Sequence, residues 1–338
     1  MRHLARAALA ALVISTPAAA EEAVLNLYSA RHYQVDEALY EDFEQQTGIR
    51  INRIEGNEQQ LLERILQEGA NSPADVFITV DAARLAQAEA YGVFAPTGSA
   101  YLDERIPAHL RSNTWYAFST RARVIIYDKR KLKAADVPSY ESLADPRLKG
   151  LVCSRSGAHP YNLTLVASMV SANGLEATEQ WARGVVANFA RDPKGGDLDQ
   201  IMEVATGRCG VAVSNTYYIA RLLDSDKVEE RNLVRQRVGI VWPNQADRGT
   251  HVNVSGGGMV KTTRHREAAI RFLEYLASDA AQRHFANGNN EWPAVASVTV
   301  DNEALEDMGQ FRADTRSLVE ISAHLVEAQK LLDRAGYR

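Results

Sequence analysis

The stretch VLNLYSARHYQVDEALYEDFEQQTGIRINRIE, residues 24–55, carries the pattern that decides the fold. VLNLYSA is an apolar run of strand length and reads as a buried strand. EALYEDFEQQTG reads as an amphipathic helix that stops at Gly48, and IRINRIE returns as the next strand. Outward from there the alternation continues: EQQLLERILQEG gives a helix ended by Gly69, ADVFITVD a third strand, and AARLAQAEAYG a third helix. Alternating strands and helices of these lengths predict a parallel sheet with helices on its faces, hence a doubly wound α/β lobe.

WYAFSTRARVIIYDK, residues 115–129, is much longer than an average strand of about 5 or 6 residues, so it is expected to cross from one lobe to another. Beyond it the theme repeats. GLVCSRSG and RCGVAVSN read as strands; NLTLVASMVSANG, ATEQWARGVVANFA, LDQIMEVATG and YYIARLLD read as helices. HVNVSGGGMVK then returns as strand; it lacks the GK[ST] ending of a phosphate-binding loop, so its glycines belong to a strand near the hinge. From Arg264 the chain is mainly helical. The expected architecture is α/β, two doubly wound lobes joined by a β-strand hinge. Lobe 1 comprises residues 21–122 and 253–338 and lobe 2 residues 123–252, with the C-terminal helices able to pack on lobe 2 as well.

Arg2 and Arg6, the apolar run AALAALVI and the small-residue ending STPAAA make residues 1–20 a secretory signal peptide. Its apolar core is roughly half the ~20 residues that span a bilayer. The protein is therefore expected in the periplasm. What remains exceeds the roughly 250–300 residues that a single core supports, which again favours two lobes. The net charge is −5 and the leader contains two arginines and no acid, so the exported chain is more acidic still; nucleic acid is not an expected partner. Cys153 and Cys209 are the only cysteines, and export places them where one disulfide can persist.

Three places share one arrangement: an apolar strand ends, tyrosine follows, and a helix begins. They hold His32 and Tyr33, Tyr161, and the pair Tyr217–Tyr218. Strand carboxyl ends line the ligand crevice of such sheets, and helix N-termini favour phenolate over phenol. Several phenolates suit a hard, highly charged cation. Each residue also has an ordinary reading. A tyrosine at a strand end is usually half-buried packing, paired aromatics before a helix are usually core and cap, and a histidine without HExxH spacing is usually a satisfied polar residue. Asp197 and Asp199 lack calcium-loop spacing and read as helix N-terminal charges; the alternative is that the GDLDQ run, Asn188 and Arg191 form inter-lobe contacts on closure.

Several of these stretches, with NSPADVFITVDAARLAQAEAYGVF, NFARDPKGGDLDQI, VSNTYYIARLL, RGTHVNVSGGGMVK and AQKLLDRAGYR, resemble the periplasmic ferric-iron-binding proteins of the FutA type. The resemblance implies a periplasmic-binding-protein type II fold that captures Fe(III) between its lobes and delivers it, as a monomer, to an inner-membrane ABC permease. It implies metal ligands His32, Tyr33, Tyr161, Tyr217 and Tyr218. Four phenolates on a trivalent cation leave one net negative charge, so a buried arginine is expected nearby, Arg123 first, then Arg31 and Arg155. Other branches of the family use two tyrosines, a histidine, a glutamate and an accompanying anion, for which Glu55 or Glu58 would serve. His159 departs from the small polar residues expected before Tyr161, as an added ligand or a surface residue. Against this stand a carrier of an anion or small organic solute, a metal-dependent enzyme with an open coordination position, and an iron sensor.

Overall fold

The computed structural model describes residues 23–31 and 33–338; the leader at 1–20 and His32 lie outside the described residues. Strands β1 (Val24–Ser29), β2 (Arg50–Glu55) and β3 (Val76–Thr79) run parallel in the order β2-β1-β3, joined by helices Asp36–Thr47 and Glu58–Glu68. Leu25 and Leu27 of β1 and the whole of β3 are buried, as apolar runs covered on both faces must be. Gly48 ends the first helix in the left-handed conformation, φ 68°. The short β4 (Phe94–Ala95) follows helix Ala82–Ala90.

The crossing strand is β5 (Trp115–Asp128), a single fourteen-residue strand. Four further strands partner it or extend the sheet: β6 (Val152–Cys153), β7 (Val211–Asn215), β8 (Val238–Val241) and β9 (Val252–Val260). From Trp115 to Ala122, β5 pairs antiparallel with β9; from Arg123 onward it pairs with β7 and β8. The change of partner between Ala122 and Arg123 joins the two halves of one strand path, β2-β1-β3-β9-β5-β7-β6. Each half is mixed, because β9 is antiparallel to β3 and β5 antiparallel to β7. The glycines of β9 are packing residues. A Cβ at Gly256 would lie 2.5 Å from the Tyr116 carbonyl oxygen, and one at Gly258 2.5 Å from that of Thr114.

Cys153 and Cys209 form a disulfide, Cα–Cα 5.8 Å, that ties β6 to the turn before β7. GLVCSRSG contributes only the two residues of β6; the rest is a loop held by side chains. The helix Val228–Arg237 and β8 carry little sequence signal, since Val234 is the one buried residue of that helix. The last helix, Leu325–Ala335, packs on helices Pro160–Asn173 and Leu175–Ala187, where Arg334 pairs with Glu179 at 2.6 Å. A final short strand, β10 (Trp292–Pro293), pairs with Ser119 and Thr120 of β5.

Where β9 begins, His251 is fully enclosed and neither ring nitrogen has a hydrogen-bond partner among the described residues. Its carbonyl accepts from Arg123 N and its own N–H donates to Tyr140 Oη, so it sits at the crossing between the halves. Burial pushes its pKa down to about 3; Asp314 opposes this, and Arg123, Arg316 and Arg248 add to it. A histidine depressed in the folded state stabilises above its free value and loses that contribution as pH falls. Iron-free protein is therefore expected to lose about 1.4 kcal/mol per pH unit from this residue below about pH 6.5. Thermal unfolding from about pH 7 to about pH 4.5 checks it: His251→Leu should flatten the slope, and an identical slope would show that another group titrates.

Candidate metal centre

Tyr161 opens helix Pro160–Asn173, which begins with Pro160 in its first position and is capped by His159, whose Nδ1 accepts the Tyr161 N–H at 3.2 Å. Tyr217 and Tyr218 stand in the first turn of helix Thr216–Leu223, directly after β7. These two helix starts bring the Tyr161 and Tyr217 hydroxyls to 3.1 Å. The Tyr217 and Tyr218 rings lie 4.2 Å apart, and the Arg221 guanidinium covers both at about 6 Å.

Tyr33 approaches from the β1 side, with the Arg31 guanidinium 5.0 Å from its ring centre. Burial raises the pKa of Tyr33, Tyr161 and Tyr217. Charge on a neighbouring phenolate raises each further, Tyr218 acting on all three. The four phenols thus share one electrostatic neighbourhood drawn from both halves. Without a cation Tyr33, Tyr161 and Tyr217 stay protonated; a multivalent cation is what would make phenolates of them together. Among the described residues no group of three His, Cys, Asp or Glu side chains could hold a metal.

Arg121 is the buried arginine that faces this cluster, and the reading of the sequence missed it. Burial disfavours its charge, but Glu291 first, and Tyr161, Tyr217 and Tyr33 wherever they become phenolates, outweigh that and hold it protonated. It donates to Ser255 Oγ at 2.9 Å and to the Val80 carbonyl, and lies 3.8 Å from Glu291. Glu291 was also missed. It is buried, accepts from Ser119 Oγ at 2.6 Å and pairs with Arg31 at 3.0 Å. The available signal was the alternation Arg121-Ala122-Arg123 in a strand with no other basic residue, which sends both arginines to one face.

Arg123 is committed elsewhere. It pairs with Asp197 at 2.8 Å and donates to Asn162 and Asn215, with its guanidinium 5.9 Å from the Tyr161 ring centre. Arg155 pairs with the other oxygen of Asp197 at 2.9 Å and lies 5.0 Å from that ring centre. Asp197 also accepts the Asn215 N–H at 2.7 Å. It is thus a buried pillar beneath both helix starts, more than a helix N-terminal charge, whereas Asp199 caps its helix by accepting the Gly196 N–H. Asn188 binds the Leu143 and Asp145 carbonyls and Arg191 binds Gln200, so neither makes the inter-lobe contact expected of it. Thr164 Oγ1 does approach the other half: it lies 3.1 Å from Asp81 Oδ1, its one proton shared between that oxygen and the Pro160 carbonyl at 2.8 Å.

His159 is a capping residue. Burial, then Arg155 and Arg123, push its pKa down to about 3, keeping Nδ1 an acceptor. Of the two glutamates considered, Glu55 pairs with Arg53 at 2.9 Å, while Glu58 is mostly buried. Burial and Asp81 push the Glu58 carboxyl up to about 7. His32 falls outside the described residues.

Residues 71–312 match the family of bacterial extracellular solute-binding proteins. The chain is 47% identical over 328 residues to iron uptake protein A1 of Synechocystis sp., covering 96% of this chain and 90% of that protein. It is 29% identical over 340 residues to the major ferric iron-binding protein of Neisseria meningitidis, 97% of each chain. The Trichodesmium protein IdiA (FutA), solved in complex with iron and citrate ligands, superposes with a TM-score of 0.89 at 47% identity, covering 93% of this chain and 100% of that one. With its lobes, crossing strand and tyrosine-lined junction, the chain belongs to the bacterial extracellular solute-binding protein family.

Proposed function

We propose that this protein captures ferric iron in the periplasm, through the phenolates of Tyr33, Tyr161, Tyr217 and Tyr218, and delivers it to an inner-membrane ABC permease. The observation that carries this reading is the 3.1 Å approach of the Tyr161 and Tyr217 hydroxyls, in a pocket shared with Tyr33 and Tyr218 and faced by Arg121. Four phenolates on a trivalent cation leave one negative charge, which Arg121 offsets. Arg123 and Arg155, partly neutralised by Asp197, lie beneath Tyr161 and add a smaller positive field. His32 is the proposed fifth ligand.

Residues 21–122 and 253–338 form one closing unit and residues 123–252 the other, hinged where β5 and β9 cross. The last helix, with its contacts on the second unit, moves with that unit. Iron favours the closed form because it binds donors from both units only there, and the Asp81–Thr164 bond adds to closure. The permease then reads the closed surface of a monomer. The relatives this chain matches at 47% and 29% identity are iron uptake and ferric iron-binding proteins, which supports a carrier over an enzyme.

Titration of the purified protein with chelated ferric iron tests this. A phenolate-to-iron absorption band saturating near one iron per chain is expected, weakened in Tyr217→Phe and Tyr33→Phe. A colourless protein that instead binds an anion or organic solute tightly would overturn the iron reading.

A further inference from the structure

Under the tyrosines of the second half runs a buried hydrogen-bonded chain that ends at a residue far from them in sequence. Asn162, next to Tyr161, accepts from Arg123 at 2.7 Å, and Arg123 donates to Asp197 and to Asn215, two residues before Tyr217. On its other side Asn162 Nδ2 lies 3.2 Å from Ser154 Oγ and 3.1 Å from each of the Arg155 and Ser156 carbonyls, its two protons shared among the three. Ser154 Oγ lies 2.6 Å from Tyr337 Oη. A serine hydroxyl has one proton, and that of Ser154 goes to the Arg155 carbonyl at 2.9 Å. Ser154 Oγ is therefore an acceptor twice over, and Tyr337 is the donor.

Tyr337 is also the surface on which the loop before Tyr161 is moulded. Its ring meets Phe189 edge-on at 5.0 Å. Its carbonyl oxygen lies so close to Gly157 that a Cβ there would come within 2.2 Å of it. The loop from Ser154 to His159 is nearly free of regular structure, so its course depends on such contacts. Ligand geometry must hold to within about 0.5 Å to be productive.

We infer that Tyr337 is a positioning residue of the metal site: its hydroxyl fixes Ser154, and through Asn162 the helix start that places Tyr161 against Tyr217. This rests on the iron reading above. The segment AGYR, which the proposed function leaves without a role, gains one.

Tyr337→Phe keeps the ring and its packing and removes the donor; Ser154→Ala removes the acceptor and serves if the first variant folds poorly. Both are compared with wild type and with Tyr91→Phe, an exposed tyrosine, by the phenolate-to-iron band and by iron release to excess chelator. Release about fivefold faster in each variant, with a displaced band, is expected. The double variant should be no worse than Ser154→Ala alone, which already removes the Ser154–Tyr337 bond. A lower unfolding temperature with band and release rate unchanged would make Tyr337 merely structural and overturn the inference alone. No band in wild type would overturn the iron reading and this inference with it.

Discussion

Ferric iron is expected to leave this protein steeply on acidification, its apparent affinity falling by at least about three decades per pH unit between about pH 8 and about pH 6. The slope follows from proton counting. Tyr33, Tyr161 and Tyr217 are raised by burial above the ordinary phenol value, so each stays protonated in iron-free protein across that range. Each must release its proton to bind, and every proton released contributes one decade per pH unit. Arg121 works in the opposite sense for all three, but burial prevails and the protons remain. Competition against a chelator whose own pH dependence is known measures the slope directly. In Tyr217→Phe it is expected to fall by about one decade per unit, because one proton drops out of the exchange. A wild-type slope under about one decade per unit would mean that the phenols are not the ligands, whatever colour the protein takes.

The scaffold for this chemistry is legible in the sequence wherever periodicity and breakers speak together. Helices Asp36–Thr47 and Glu58–Glu68 end at Gly48 and Gly69 as read, and the length of β5 betrays its crossing. The strand-end tyrosines stand out because side chains there face the crevice by construction. What the sequence leaves hidden depends on contacts between distant residues. Arg121 and Arg123 lie on one strand with one residue between them, and nothing local says which faces the phenols. The change of partner at Ala122 decides it, turning Arg123 toward Asp197 and leaving Arg121 with Glu291. Glu291 follows a helix in a stretch with no motif, and only the pairing of β10 with Ser119 and Thr120 brings it under Arg121 and Arg31. Asp197 and Asp199 look equivalent in GGDLDQ, yet one is buried beneath the helix starts that carry Tyr161 and Tyr217 and the other caps an exposed turn.

That contrast sets the largest stability effect expected in the molecule. Asp197→Ala is expected to cost about 3–5 kcal/mol, because it leaves Arg123 buried without an acidic partner. Arg123 is 2% exposed and Arg155 12%, so water can relieve the second but hardly the first. The Asn215 N–H loses its acceptor as well, two residues from Tyr217. Asp199→Ala, by comparison, removes a cap at an exposed position and is expected to cost about 1 kcal/mol. Urea unfolding of the iron-free variants separates the two. The difference also has a pH signature of known sign. Burial raises the Asp197 pKa, but Arg123 and Arg155 outweigh it and hold the carboxyl below its free value. The advantage of wild type over Asp197→Ala is therefore fully present above about pH 4 and is lost only as the pH falls through the folded-state value. A penalty under about 1 kcal/mol near neutral pH would mean that Arg123 finds other partners. The buried charges would then not be what holds the Tyr161 and Tyr217 helices in register.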